Sequence, residues 1–493
     1  MRRDLSRQAV VAAVALGCSG GSPIGKTSVV APDTGTSDLP GAPADTADTE
    51  DTSEDPDPYG FVEDGEWLPG GETTNTRLLG SNAFLRPAQN LTAEHQLNFY
   101  GGNGFFNQGW VEAPATTEAR DGLGPLFNAR TCSGCHFKDG KAAPPEEGDG
   151  PFVGLLIRLS VDSEDGPIPD PVYGEQLQDQ ANPDIPVEAL PTVTWMETSG
   201  TFVDGTPYTL VEPSFRIVSP SHGALSDDLM TSPRIAPHMI GLGLLEAIRS
   251  SQIKAQADPD DLDGDGISGR VQWHDTDAGR RIGRFGWKAD APDIDVQVAN
   301  AFAGDMGLTS ALVPMDDCTE SQTDCMGAPD GGTPEVNETV FHRVAFYSRV
   351  IAVPVRRAAD DPTVLQGKSL FHQLGCAGCH TPSYTTGDGA IPELSGQLIW
   401  PYTDLLLHDM GEGLADGRPV GEASGREWKT PPLWGLGLMH DVSGHTRYLH
   451  DGRARSLEEA VLWHAGEALD SRDAYLALGA TERAAVIAFL EDL

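Results

Sequence analysis

The chain has 493 residues, 39% of them hydrophobic, which exceeds what one core usually supports and implies two compact units with room for an insert. Its 74 Asp and Glu against 33 Lys and Arg give a formal charge of −41, which excludes nucleic acid as a partner because phosphates need cationic surfaces. That balance suits a soluble protein meeting water or basic redox partners.

The first element is an export signal. Arg2, Arg3 and Arg7 precede the apolar run AVVAAVALG, which ends at Cys18. The run is too short to span a bilayer, and no later segment is apolar enough to do so. The ALGC sequence (residues 15–18) resembles a bacterial lipobox, with Ala15 smaller than the usual aliphatic residue. The expectation is a lipoprotein-type signal over 1–18, lipidated at Cys18, with simple cleavage as the alternative. Residues 19–75 are rich in Asp, Thr, Pro and Ala with few large apolar residues, so they read as a disordered acidic tether. The expected location is the bacterial envelope, as a periplasm-facing or outer-membrane lipoprotein attached by its lipid alone.

Next comes ARTCSGCHFKDG, with Cys132, Cys135 and His136. QLGCAGCHTP repeats the trio as Cys376, Cys379 and His380. Cys-x-x-Cys-His is the attachment signal for c-type haem. Two thiols bond two vinyl groups on one porphyrin edge, and the adjacent histidine becomes an axial ligand. A redox disulfide needs no histidine, and a zinc site needs a matched second pair nearby. Two covalently bound c-type haems are therefore expected. Leu126 and Phe127 precede the first trio at the offsets of Leu370 and Phe371 before the second, so each copy is expected to set an aromatic on a short helix against its haem. Between 141 and 235, stretches such as PTVTWMETSGTFVDGTPYTLVEP read as an inserted β-hairpin or small sheet.

DPDDLDGDGISG places Asp261, Asp263 and Asp265 at positions 1, 3 and 5 of an EF-hand-like loop, with Gly266 for the turn and Gln272 where a bidentate Glu belongs. The readings are a Ca2+ site completed by Asp258 or Asp260, or an acidic Asx-turn loop. Cys318 and Cys325 read as a local disulfide in an oxidising compartment, with two free thiols as the alternative. Near the C-terminus, Ser456 and Glu459 form a capping box. Thr481 can cap a last helix with Val486, Phe489 and Leu490 on one face. The fold expected is mainly α: two cytochrome-c-like haem domains, 76–345 and 346–493, with long loops and a small β insertion.

Several stretches together, among them DGLGPLFNARTCSGCH, GRFGWKAD, PYTDLLLHDMGEGLADG, REWKTPPLWGLG and LHDGRARSLEEAVLWHAGEA, resemble a family of di-haem oxidoreductases sometimes labelled thiol oxidoreductases. That family is related to bacterial di-haem cytochrome c peroxidases, and the resemblance covers about residues 80–493. It implies that the N-terminal haem binds a small oxidant such as hydrogen peroxide. The C-terminal haem would take electrons from a small redox protein or a quinone-linked donor. A non-catalytic di-haem electron carrier is the alternative.

By the same resemblance, Trp287 matches the bridging tryptophan, Gln297 the glutamine over the reactive iron, and Asp305 the glutamate. Asp305 is shorter by a methylene and closer to Gln297 than the family pattern has it. Calcium near the junction of domains is also a family feature. His464 is the first choice as sixth ligand of the second haem, with Met410 and His450 in reserve. His238, Met239 and His95 are candidates at the first. Arg453 or Arg455 could pair with a propionate.

Overall fold

The computed structural model describes residues 57–493 apart from 78–79, 118, 165 and 277–278. Cys18 and the signal lie outside the described residues. Pro56–Leu493 form one compact unit. Within the expected tether, residues 57–75 belong to this body: Glu66 is fully buried, paired with Arg356 and Lys368. No helix among the described residues is long and apolar enough to cross a membrane.

The expectation of a mainly α fold is wrong. Of the described residues, 28% are helix and 18% strand, a mixed architecture. Two sequence properties account for this. The Thr- and Val-bearing insert forms extended pairs, and 57 Gly and 37 Pro break the haem-motif surroundings into short turns. Leu190–Thr201 and Pro207–Val218 make a long antiparallel hairpin, in register from Leu190 opposite Val218 to Thr201 opposite Pro207. Its turn uses Gly205 at φ +88°. At its tip, Phe202 is buried against Tyr208 and Tyr475, with the Arg483 guanidinium 3.8 Å above its ring. Leu155–Ser160 pairs with Met230–Ile235, so the insert is anchored at both ends.

The helices fall into two packed sets. Ala93–Asn107 packs on Glu338–Arg349 so closely that a Cβ on Gly102 would sit 2.2 Å from the Arg343 carbonyl. Ile294–Met306 starts at Asp293, whose side chain accepts the Val296 N–H, and stops at Gly307 with φ +61°. One face buries Val298, Ala299, Phe302 and Met306. Near the C-terminus, Pro362–Gln373 crosses Ala480–Asp492. The last helix is capped at Gly479 rather than Thr481, with the Glu482 carboxylate taking the Gly479 N–H at 2.8 Å. The larger hydrophobic cluster reaches from Phe99 and Phe302 to Trp434 and Leu438, so early and late segments share one core. A second cluster gathers Phe371, Tyr402, Tyr475 and Phe489.

Candidate haem centres

Both trios open on one apolar cavity of about 430 Å³. At the first, Thr131 caps the turn Cys132–Cys135, its hydroxyl accepting the Gly134 N–H. His136 Nδ1 bonds the Pro237 carbonyl at 2.7 Å. At the second, His380 Nδ1 bonds the Tyr402 carbonyl at 2.9 Å. In each ring this fixes the tautomer and leaves Nε2 as the free donor atom. Burial lowers both imidazoles to about 4, so they stay neutral, the form a metal takes. The four thiols are unbridged, and burial pushes Cys132, Cys135 and Cys376 up to about 12.

The repeat in sequence is not a repeat in structure. Phe371 lies on a helix, 6.3 Å from the His380 ring. Phe127 lies in a short strand paired to Gln180–Ala181, and the aromatic near His136 is Phe106 from the first long helix.

The Ile294–Met306 helix presents Gln297, Ala301 and Asp305 to the cavity. Their spacing of four places them on one stripe, with a small residue between the two functional ones. The Asp305 carbonyl accepts the N–H groups of Asn128 and Ala129, at 2.9 and 3.0 Å, just upstream of Cys132. Burial raises the Asp305 carboxyl, opposed by a hydrogen bond from Gln176 and by Arg158.

Trp287 also lines the cavity, its indole N–H donated to the Ile235 carbonyl at 2.9 Å. His450 sits edge-on to it at 6.4 Å and stacks on Trp428 at 3.8 Å. Lys429 is influenced by Asp404, whose N–H reaches the Cys379 carbonyl, and itself acts on His238. Trp428 and Lys429 line the same cavity as both trios.

Among the proposed sixth ligands, His464 lines the cavity near His380, its Nδ1 bonded to the Ala460 carbonyl at 2.7 Å. Met410, His450, His238 and Met239 line the cavity as well. His95 does not, since it pairs with Glu393 at 2.8 Å. Arg453 and Arg455 are taken by Asp451 and Glu459. The cavity's buried cations include Lys141, Arg234, Arg284 and Lys429, which sequence reasoning missed. Burial drops Lys429 to about 8, and Arg234 Nη2 has no partner. His408 was missed too. It lies between Asp404 (2.8 Å) and Glu467 (2.7 Å), beside Cys379. Against burial, its bonds to Asp404, Cys379 and Glu467 hold its pKa well above the usual. Several of their partners are distant in sequence: Leu449 for Lys141, Asp290 for Arg234 and Glu467 for His408.

Unbridged thiols, anchored neutral imidazoles, apolar walls and underpaired buried cations fit a porphyrin carrying carboxylates at each trio. Elsewhere, Cys318 and Cys325 are disulfide-bonded. Asp258, Asp261 and Asp263 bring carboxylate oxygens within 4.8 Å of one another. Asp265 falls outside that group and accepts the Ile267 N–H, while the Gln272 amide turns to Val420 and Glu422.

A family model described as "Di-haem oxidoreductase, putative peroxidase" matches residues 66–155 and 209–493. The chain belongs to that di-haem oxidoreductase family. Oxidoreductase chemistry with haem cofactors follows at that level. No curated protein matches the chain. Among solved structures, hydrazine synthase from Kuenenia stuttgartiensis, pressurised with 20 bar xenon, is similar at 13% identity and a TM-score of 0.32, over 85% of this chain and 96% of that one.

Proposed function

We propose that the protein is an exported peroxidase-type oxidoreductase carrying two covalent c-type haems, which takes electrons at the C-terminal site and reduces hydrogen peroxide or a similar small oxidant at the N-terminal one. The observation that carries this reading is Gln297 and Asp305 on one helical stripe facing the cavity that both trios share, with Asp305 acting on Cys132 and Cys135. Bound there, the haems supply the redox-active irons.

Peroxide reduction to two waters consumes two electrons and two protons. Its O–O cleavage needs a proton moved from one oxygen to the other, and Asp305, which lines the cavity, would accept and return it. Gln297 can orient the oxidant by its amide. Trp287, His450 and Trp428 form a run of ring contacts in the wall of the cavity that both trios share. The donor is a small reduced redox protein or a quinone-linked donor, whose basic surface would meet this acidic chain.

The test adds peroxide to the reduced holoprotein and follows oxidation of a reduced donor, with absorption and EPR spectra before and after. Asp305→Asn is expected to cut turnover by about 10²–10⁴-fold, the usual worth of acid–base catalysis. Wild-type turnover in that variant removes the assigned site. The carrier reading is favoured by one observation: each trio has cavity-lining residues able to be a sixth ligand, His238 or Met239 and His464 or Met410. Two low-spin haems that ignore peroxide would establish it. Calcium at Asp258, Asp261 and Asp263 is tested by elemental analysis, and lipidation at Cys18 by acyl mass on the mature N-terminus.

A further inference from the structure

The family model leaves out residues 156–208, yet this stretch reaches the first site. We propose that it completes that site: Gln176 is a positioning residue that holds Asp305 by one carboxylate oxygen, leaving the other to exchange protons with the oxidant. This rests on the role given to Asp305 above.

The geometry is forced by a chain of amides. Asn128 Nδ2 donates to the Leu177 carbonyl at 2.8 Å and to Asp179 at 3.0 Å, which fixes Asn128 Oδ1 as an acceptor. Gln176 Nε2 lies 2.8 Å from that oxygen, 2.8 Å from the Gly304 carbonyl and 3.0 Å from Asp305 Oδ1. A backbone carbonyl can only accept, so the amide nitrogen must face this group, its two N–H bonds shared among the three acceptors with Asp305 Oδ1 the farthest. Gln176 is fully buried and cannot swing away. Gln178 Nε2 donates to the same Gly304 carbonyl at 2.6 Å. The insert thus supplies partners to the last turn of the Ile294–Met306 helix, where carbonyls lack intrahelical donors.

The chemistry of the donor matters. A cation bonded directly at this point would hold Asp305 ionised, whereas a neutral amide orients the carboxyl with less effect on its proton affinity. The charged or titratable groups acting with Asp305 are Arg158, from the neighbouring strand of the same insert, and the Cys132 and Cys135 sulfurs. Arg158 is shared with Glu175, Asp290 and Asp317. With Oδ1 occupied, Oδ2 is the oxygen presented for proton transfer. An aspartate shorter than the family's glutamate would otherwise have one side chain fewer to fix its orientation.

The experiment compares wild-type, Gln176→Leu, Gln178→Leu, Asp305→Asn and Gln176→Leu/Asp305→Asn holoproteins. Gln178→Leu removes a bond to the same carbonyl but none to Asp305. Two readouts are taken: kcat and KM for peroxide, and the Asp305 carboxyl band in the infrared, assigned by its loss in Asp305→Asn. Expected are a kcat at least tenfold lower in Gln176→Leu with KM within twofold, a shifted carboxyl band, little change in Gln178→Leu, and less than a twofold further loss when Gln176→Leu is added to Asp305→Asn. An unshifted band, or equal losses in both backgrounds, overturns the proposal. A shifted band with wild-type kcat in Asp305→Asn keeps the contact but removes both its catalytic role and the assigned active site. Should Gln176→Leu fail to accumulate, Gln176→Asn, which keeps the amide but is too short to reach, is read by the same criteria.

Discussion

His136 and His380 show what a single residue needs beyond its motif. The trio names the ligand, but the Pro237 and Tyr402 carbonyls orient it, and neither lies near its histidine in sequence. Gln297 and Asp305 were reachable through the family resemblance of one continuous tract, and the structure sets both on one helix. Gln176 was not, because its bond to Asp305 spans 129 positions. Buried carboxyls behind the cavity also set the response to pH. Burial raises Asp179 to about 6, against hydrogen bonds from Phe152 and Asn128. Its folded pKa lies above the unfolded value, so the folded state holds its proton longer. The contribution is full below about pH 4 and declines as pH rises to about 6, by on the order of 3 kcal/mol at about 1.4 kcal/mol per unit. Urea unfolding of wild-type and Asp179→Asn between pH 4 and 7 should show this decline in the former and a flatter curve in the latter. Parallel pH curves would contradict it.

At the scale of elements, the long hairpin was readable from alternating Thr, Val and aromatic residues, and the structure forms it from Leu190 to Val218. Around the first trio, beyond the insert, the helical setting of the second trio is not repeated. Leu126–Phe127 follows Pro125 and finds a strand partner in Gln180–Ala181. Pro favours extended or turn geometry around it, and the pairing partner lies in the insert. The two C-terminal helices depend on one glycine: a Cβ at Gly367 would lie 1.9 Å from the Ala485 carbonyl. Gly367→Ala is expected to destabilise the second site by about 1–3 kcal/mol through overpacking. A lowered denaturation midpoint and weakened absorption from the His380 haem would show it, while an unchanged midpoint would mean the helices can separate at little cost.

Across the whole molecule, Arg356 joins Glu66 from the start of the described chain to Asp492 at its end, with Lys368 on the same Glu66. Both termini of the compact unit are thereby tied to the second haem region. Replacing Cys376 and Cys379 by Ala is expected to reduce covalent iron from two to one per chain, as measured by haemochrome spectra and elemental analysis. Two irons remaining would refute thioether attachment at that trio. The net charge of −41 also predicts that transfer from a basic donor slows as salt rises, since screening shortens the reach of the acidic surface. Stopped-flow rates from low to physiological ionic strength test this, and flat rates would argue for a neutral donor.

The sequence alone determined the two Cys-x-x-Cys-His trios, the acidic balance and the strand-forming insert, because each depends on residues close together along the chain. Only the tertiary structure decided which carbonyls orient the histidines, which cations are buried in the cavity and which amide holds Asp305. Those contacts join positions up to hundreds of residues apart, and their strength comes from shared burial, a property that no local pattern encodes.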